Sequence, residues 1–347
     1  MMKKSSIIVF VFFFSFCSAQ DLHFTQFYNA PMKLNPGNTG AFKGDLRVIS
    51  NYRNQWSSIE SPYRTFGFSV DLPVLKYKWK NSFLGVGLDV FNDRAGDLGL
   101  GSTQVDITAS NILSLNKQMT MTVGIQATFN QYSLDISNAM TGSQFIGSGY
   151  NPTLPTGEAN VFKPFSFFDV STGATWNYAS GESNIAANDM FIVNLGVAFF
   201  HLNRPNLDFI NLDRLYPKII THGSMNIGIR YFKIALMPSY MLAFQGPQKE
   251  IIFGSLIRLK LREESRHTGT ISEASLLFGA HYRVLDAVAP SFGVDLGDYM
   301  LLLSYDFNTS RLANATRAKG GFELTLRYRN PELFSKGGGS FLQPKFM

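Results

Sequence analysis

The sequence predicts an all-β fold, a single antiparallel transmembrane β-barrel of about 14 strands of the outer-membrane type. Three observations predict it. Apolar and polar residues alternate with period two along almost the whole chain. From Met119, for example, Met119, Met121, Val123, Ile125, Ala127 and Phe129 fall on one face, and Thr120, Thr122, Gly124, Gln126, Thr128 and Asn130 on the other, because strand side chains alternate sides. The runs are mostly ten to fourteen residues long. That meets the ~9–11 residues a tilted strand needs to cross a bilayer and exceeds the ~5–6 usual in soluble sheets, which weighs against a β-sandwich. Aromatics often end the apolar faces, as Tyr52 and Trp56, Trp176 and Tyr178, or Tyr305 and Phe307 do, which is where interfacial girdles sit.

Composition excludes the other classes. Charged residues make up 16% of the 347 residues, well below the ~25% of an average soluble domain, yet mean hydropathy is close to zero. The apolar residues are therefore interleaved rather than blocked together. A membrane helix needs ~18 or more consecutive apolar residues, and the stretch 7–17 is too short for one. Helical membrane proteins, collagen, coiled coils and disordered chains are all ruled out.

The first 19 residues read as a leader. Lys3 and Lys4 form a basic start, Ile7 to Phe14 with Phe16 an apolar stretch, and Cys17, Ser18 and Ala19 a small-residue cleavage site before Gln20. Cys17 raises the question of lipidation, but Phe16 stands where a lipobox requires a small residue. Cleavage would remove the one cysteine, leaving no thiol or disulfide chemistry, and would lower the net charge from +6 to +4 by loss of the two lysines. That charge is too mild and too dispersed to suggest nucleic acid.

Residues 20–43 have no period-two pattern, and Pro31, Pro36, Gly37 and Gly40 would break any strand. A disordered tail is poor in aromatics, whereas Phe24, Phe27 and Tyr28 lie here. The segment is expected to be an ordered plug or collar at the periplasmic mouth. The barrel is expected over 44–330, with strands at 44–56, 63–73, 81–92, 101–112, 117–130, 165–178, 190–201, 222–231, 233–244, 249–261, 271–283, 288–297, 298–308 and 319–330. Only closed barrels and helices satisfy every backbone group in lipid, so the sheet must close. Residues 331–347, with three glycines at 337–339, form a tail beyond it. With both termini periplasmic, the longest gaps, 131–164, 202–218 and 309–318, all fall outside, as barrels of this type require.

Several ordered segments carry a family resemblance. The mature start runs Gln20-Asp-Leu-His-Phe-Thr-Gln-Phe-Tyr-Asn-Ala-Pro-Met-Lys-Leu-Asn-Pro-Gly-Asn-Thr-Gly40, followed by Tyr52-Arg53-Asn54-Gln55-Trp56, His201-Leu-Asn-Arg-Pro205 and Pro238-Ser239-Tyr240. Then come Tyr282-Arg283, Asp286-Ala287, Ser304-Tyr305-Asp306-Phe307-Asn308 with Ser310, and Gly320-Gly-Phe-Glu-Leu-Thr-Leu-Arg-Tyr328-Arg329. In this order, from Gln20 to about Arg329, the set resembles the PorP/SprF family of type IX secretion system membrane proteins of Bacteroidetes. The resemblance implies an outer-membrane barrel that binds a large secreted protein, such as a gliding-motility adhesin, and supports its secretion or surface attachment. Its implied partners are outer-membrane lipid, type IX translocon components and that cargo. A porin-like channel or small-ligand transporter is the alternative.

No cofactor, metal or catalytic motif is expected. His23, His201, His222, His267 and His281 show no metal-ligand spacing, and neither a phosphate-binding glycine loop nor a Gly-x-Ser-x-Gly elbow occurs. Arg47, Arg53, Asp89, Asp106, Asp169, Arg258, Arg283, Asp295, Asp306, Glu323 and Arg327 fall on polar faces, either as an electrostatic lining for a passing ligand or as an ion-pair network filling a closed barrel. Mixed signs favour the network. Phe145, Tyr150 and Phe162 in the first long loop, and Arg204, Phe209, Arg214 and Tyr216 in the second, are the candidate partner-binding residues. In the last strand, Gly321, Leu324, Leu326 and Tyr328 resemble the signal read by barrel-insertion machinery.

Overall fold

A computed structural model describes residues 24–55, 62–76, 78–96, 99–134, 141–147, 149–151, 153–155, 157, 164–180, 188–207, 213–262, 273–310 and 319–330. Fourteen strands close into one antiparallel barrel. They are β1 (Leu46–Gln55), β2 (Tyr63–Val74), β3 (Ser82–Ala95), β4 (Leu100–Ser114) and β5 (Met119–Ser133). Next come β6 (Phe165–Ser180), β7 (Phe191–Phe200), β8 (Lys218–Gly228), β9 (Ile234–Gln245) and β10 (Gln248–Arg262). The last four are β11 (Ala274–Arg283), β12 (Ala287–Asp295), β13 (Tyr299–Asn308) and β14 (Lys319–Asn330). Each strand pairs with its neighbours in the chain, and β1 pairs with β14 in register from Leu46↔Asn330 to Gln55↔Gly321, so no edge remains.

The end of the barrel where β1 starts and β14 finishes is called the near end below, and the opposite one the far end. The far end carries the long connections 134–164 and 201–217. Two short hairpins lie in these connections, Phe145–Ile146 with Gly149–Tyr150 and Asn206–Leu207 with Asp213–Arg214.

The period-two faces are those the sequence predicts. Ile125 is 63% exposed on the outer wall, while Gln126 beside it is 3% exposed in the lumen. Strand bounds differ most at β8, expected at 222–231 and found at Lys218–Gly228. Ile219 and Ile220 are both apolar yet face opposite ways, one exposed and one buried, so alternation is hidden at the start. At the other end Tyr231, in the left-handed region with φ of 65°, belongs to the turn.

Part of the lumen is apolar. Phe200, Ile220, Met241 and Ile252 form one buried cluster, and Leu256, Leu277, Met300 and Leu302 a second. Both receive side chains from the segment that precedes β1. That segment runs inside the barrel as three short turns, Phe27–Asn29, Pro31–Leu34 and Pro36–Asn38. Proline explains the breaks. Pro31 and Pro36 open their turns, where the missing N–H costs nothing. The residue before a proline avoids helical geometry, so Asn35 is extended with φ −165° and ψ 122°.

Candidate functional site

The interior segment descends the lumen from the far half to the near mouth, and three kinds of contact hold it. At its start sits a charged knot. Arg53 of β1, Arg283 of β11, Asp306 of β13 and Glu323 of β14 are each 5% exposed or less. Glu323 accepts hydrogen bonds from Thr25 N at 2.8 Å and Gln26 N at 3.0 Å, and Arg53 Nε lies 3.3 Å from its Oε1. Asp306 Oδ2 lies 3.3 Å from Arg53 Nη2 and 2.9 Å from Arg283 Nη2. Thr25 Oγ1 accepts from Arg283 Nη1 at 2.8 Å and donates to Asp306 Oδ1 at 3.1 Å, and Gln26 Nε2 donates to Ser304 Oγ at 2.8 Å. Arg283 is also paired with Asp286 in the adjoining turn. Two guanidinium groups thus face two carboxylates, and the segment's own amides fill the remaining acceptor sites. That arrangement makes burying these charges tolerable.

Apolar contacts follow. Phe24 packs edge-on against Phe91 with ring centroids 5.7 Å apart, and Phe27 and Leu34 join the cluster of β7 to β10. Tyr28 lies 5.3 Å from the His281 ring, whose Nε2 is 2.9 Å from Ser239 Oγ. The Tyr28 hydroxyl is enclosed, and burial pushes its phenol above the ordinary value. Lys33 reaches the opposite wall, 2.7 Å from Asp106 and 3.6 Å from Asp89. A cavity of about 40 Å³ remains between Phe24, Phe27, Leu34, Phe91, Ile220 and Met241, well short of the ~150 Å³ that admits benzene.

The third contact is backbone on backbone. Gly85, Ser110, Gly124, Gly173 and Ala198 are register partners in turn across β3 to β7, and so form one row of small residues. Residues 35–40 lie along it. A Cβ on Gly124 would stand 2.3 Å from Pro36 O, one on Gly85 2.3 Å from Thr39 O, and one on Gly173 2.1 Å from Asn35 Oδ1. Ser110 Oγ donates to Thr39 O at 2.6 Å. Asn35 Nδ2 lies 3.1 Å from Ala174 O, Val197 O and His222 Nε2 alike, while its Oδ1 accepts from Gly37 N at 2.8 Å. At the near mouth Asp71 accepts from Gly40 N and from Arg47, and Asp45 N donates to Asn330 O at 2.8 Å.

The charges assigned to polar faces therefore meet as pairs. Besides the knot, Asp169 lies 2.7 Å from His201 Nδ1, and Asp295 lies 3.3 Å from Arg258 and 3.5 Å from Arg327. His201 ends β7 in the left-handed region (φ 59°), and Asn203 ties the bend to Phe168 O at 2.7 Å. This shapes 201–205 as an anchored strand end.

Of the expected far-loop residues, Phe145 and Tyr150 come together with rings 5.8 Å apart, and Phe145 is exposed. Arg204 and Arg214 are exposed on the second connection, where Arg214 pairs with Asn206. Tyr216 lies exposed against Gly246 of the β9–β10 turn. Phe162 and Phe209 lie outside the described residues. On β14, Leu324, Leu326 and Tyr328 face outward, whereas Gly321 faces the lumen. Lys33, Asn35, His222, Gly85 and Thr25 are site residues that sequence reasoning missed. Glycine inside a strand marks a close backbone approach, so Gly85, Gly124 and Gly173 were the available signal for the row.

The barrel resembles solved outer-membrane barrels only distantly. The toluene transporter TbuX of Ralstonia pickettii aligns with a TM-score of 0.48 at 10% identity, covering 87% of this chain and 94% of that one. A FadL homologue of Pseudomonas aeruginosa gives 0.44 at 10%, covering 85% and 92%. BamA of Haemophilus ducreyi lacking POTRA domains 1–3 gives 0.42 at 11%, covering 83% and 70%. A search of curated proteins finds no match. The model of the type IX secretion system membrane protein PorP/SprF matches residues 16–328. Tyr52-Arg53, Tyr282-Arg283, Ser304-Tyr305-Asp306 and Gly320–Arg329, four of the segments that carried the resemblance, converge on the knot around Thr25. This outer-membrane barrel belongs to the PorP/SprF family of type IX secretion system membrane proteins.

Proposed function

We propose that this barrel is a binding and structural component of the type IX apparatus, and that it supports secretion or surface attachment of a large secreted protein such as a gliding-motility adhesin. The observation that carries this reading is the interior segment. Residues 24–45 engage a charged knot of the wall and bring apolar side chains and a fitted backbone into the lumen, which suits a scaffold better than a porin. A barrel of about fourteen strands is in any case narrower than the 16–18-strand porins. The segment is the plug in this reading, and contact with cargo or translocon falls to the far mouth. There Phe145, Tyr150 and Tyr216 supply aromatic anchors, and Arg204 and Arg214 add cations on the second connection, residue types that dominate binding hot spots.

Replacing 136–160 with a short Gly-Ser linker tests the reading. The variant barrel is expected to insert as wild type does, while its adhesin-type partner no longer co-purifies or reaches the cell surface. Normal display would place the contact elsewhere. Planar-bilayer conductance separates the channel alternative: an intact barrel that conducts steadily, and is unchanged by deleting 24–43, would support a porin.

A further inference from the structure

We propose that three turns at the near mouth, those after β2, β4 and β8, bind the headgroups of an anionic phospholipid. These near-end turns, 75–81, 115–118 and 229–233, contain Lys76, Lys78, Lys80, Lys117, Arg230 and Lys233 and no acidic residue, whereas near-end acids Asp189, Glu273 and Asp298 lie on the connections before β7, β11 and β13. Lys76 is used internally, bonded to Asp45 and Gly44 O. Lys78, Lys80, Lys117 and Arg230 are exposed. The short far-end turns, 246–247 and 284–286, contain no basic residue at all.

The cations are interleaved with apolar side chains that point away from the barrel. Tyr231 is 75% exposed and Phe232 62%, with Trp79, Leu75 and Leu115 also exposed. Lys78 Nζ stands 5.6 Å over the Trp79 ring, and the Arg230 guanidinium 5.0 Å over Tyr231. Leu75 and Tyr231 hold left-handed φ of 57° and 65°, a conformation that strains a bulky residue. Both turns thus accept strain while displaying an apolar group beside a cation. That pairing matches the membrane interface, where an aromatic settles at headgroup depth and a cation meets phosphate.

The arrangement around the barrel identifies the occupant. The β2–β3 and β8–β9 turns are six strands apart in a ring of fourteen, nearly opposite one another. Between and beyond them the outer wall adds the stacked pair Trp176–Tyr178 and the tilted pair Tyr299–Tyr328. A protein partner would cover one side, whereas lipid surrounds the whole rim. The charge selects anionic lipid.

The test uses the intact barrel in phosphatidylcholine vesicles with or without phosphatidylglycerol. Lipid retained after detergent extraction is counted by native mass spectrometry. Wild type is expected to retain phosphatidylglycerol roughly tenfold over phosphatidylcholine, and the combined variant Lys78→Gln, Lys80→Gln, Lys117→Gln, Arg230→Gln to lose that preference. Arg94→Gln, an exposed charge in the far half of β3, should leave it unchanged. If the combined variant does not insert, brominated phosphatidylglycerol added to wild type should quench a tryptophan signal that Trp79→Phe removes, and salt should weaken the quenching. Equal retention of the two lipids, a preference that survives the four substitutions, or stronger binding to lipid A vesicles would each overturn the proposal. So would salt-insensitive quenching, or capture of an acidic protein through these cations without any lipid preference.

Discussion

The two sides of the lumen hold the same interior segment by opposite means. Along β3 to β7 the wall gives way. Gly85, Gly124 and Gly173 remove side chains so that the 35–40 backbone lies directly on the sheet. Around β11, β13, β14 and β1 the wall reaches inward instead, and Arg283, Asp306, Glu323 and Arg53 grip Thr25 and Gln26 by charge. The first wall recognises shape and tolerates no added atom. The second recognises polarity and tolerates no missing partner. The difference teaches that a barrel can fix a segment of short turns without giving it an edge to pair with.

Breaking the charged side should have the largest effect. Glu323→Ala removes the acceptor of two segment amides and one carboxylate partner of Arg53. Losing one partner of a buried pair costs roughly 3–5 kcal/mol, so the heat-induced unfolding of the variant in lipid should fall well below wild type. Amide exchange should accelerate first at 24–30. Breaking the fitted side should cost less. Gly124→Ala places a Cβ 2.3 Å from Pro36 O, and such overpacking costs about 1–3 kcal/mol. Exchange should then quicken at 35–40 while 24–30 stays protected. If either variant releases both stretches together, the two walls hold one cooperative unit and the contrast drawn here fails. The smallest effect serves as reference. Gly142→Ala, in the far connection with open space around it and no left-handed φ, should change stability by less than ~0.5 kcal/mol.

Much of this was legible in the residues. Alternation along Met119–Phe129 places Ile125 in lipid and Gln126 in the lumen, because a strand has only two faces and one of them meets hydrocarbon. The paired charges were legible as to side but not as to partner. Arg53 and Asp306 both sit on polar faces, yet which of several opposite charges each meets depends on positions across a closed ring. The apolar lumen patch was hidden for a related reason. At Ile219–Ile220 and Ile251–Ile252 both faces are apolar, so the period-two signal that marks lumen from lipid is lost. Aromatic Phe24, Phe27 and Tyr28 among prolines announced an ordered segment; the surface that orders it, Ile220, Met241 and Ile252 from three later strands, could not be read from there.

By itself the sequence determined the number of strands, their faces, the closure of the sheet and the breaks at Pro31 and Pro36. These follow from local rules, the two-residue repeat of a strand and the fixed φ of proline, together with a bilayer that leaves no backbone group unpaired. Only the tertiary structure decided that the segment before β1 descends inside the barrel, that Thr25 meets Glu323 across 298 residues, and that glycines of neighbouring strands line up under Pro36 and Thr39. Those contacts depend on register between strands and on distances across the lumen. Neither is written in the alternation of any one strand, because a ladder of backbone hydrogen bonds can form at many offsets until the side chains on the enclosed face are brought together and must fit.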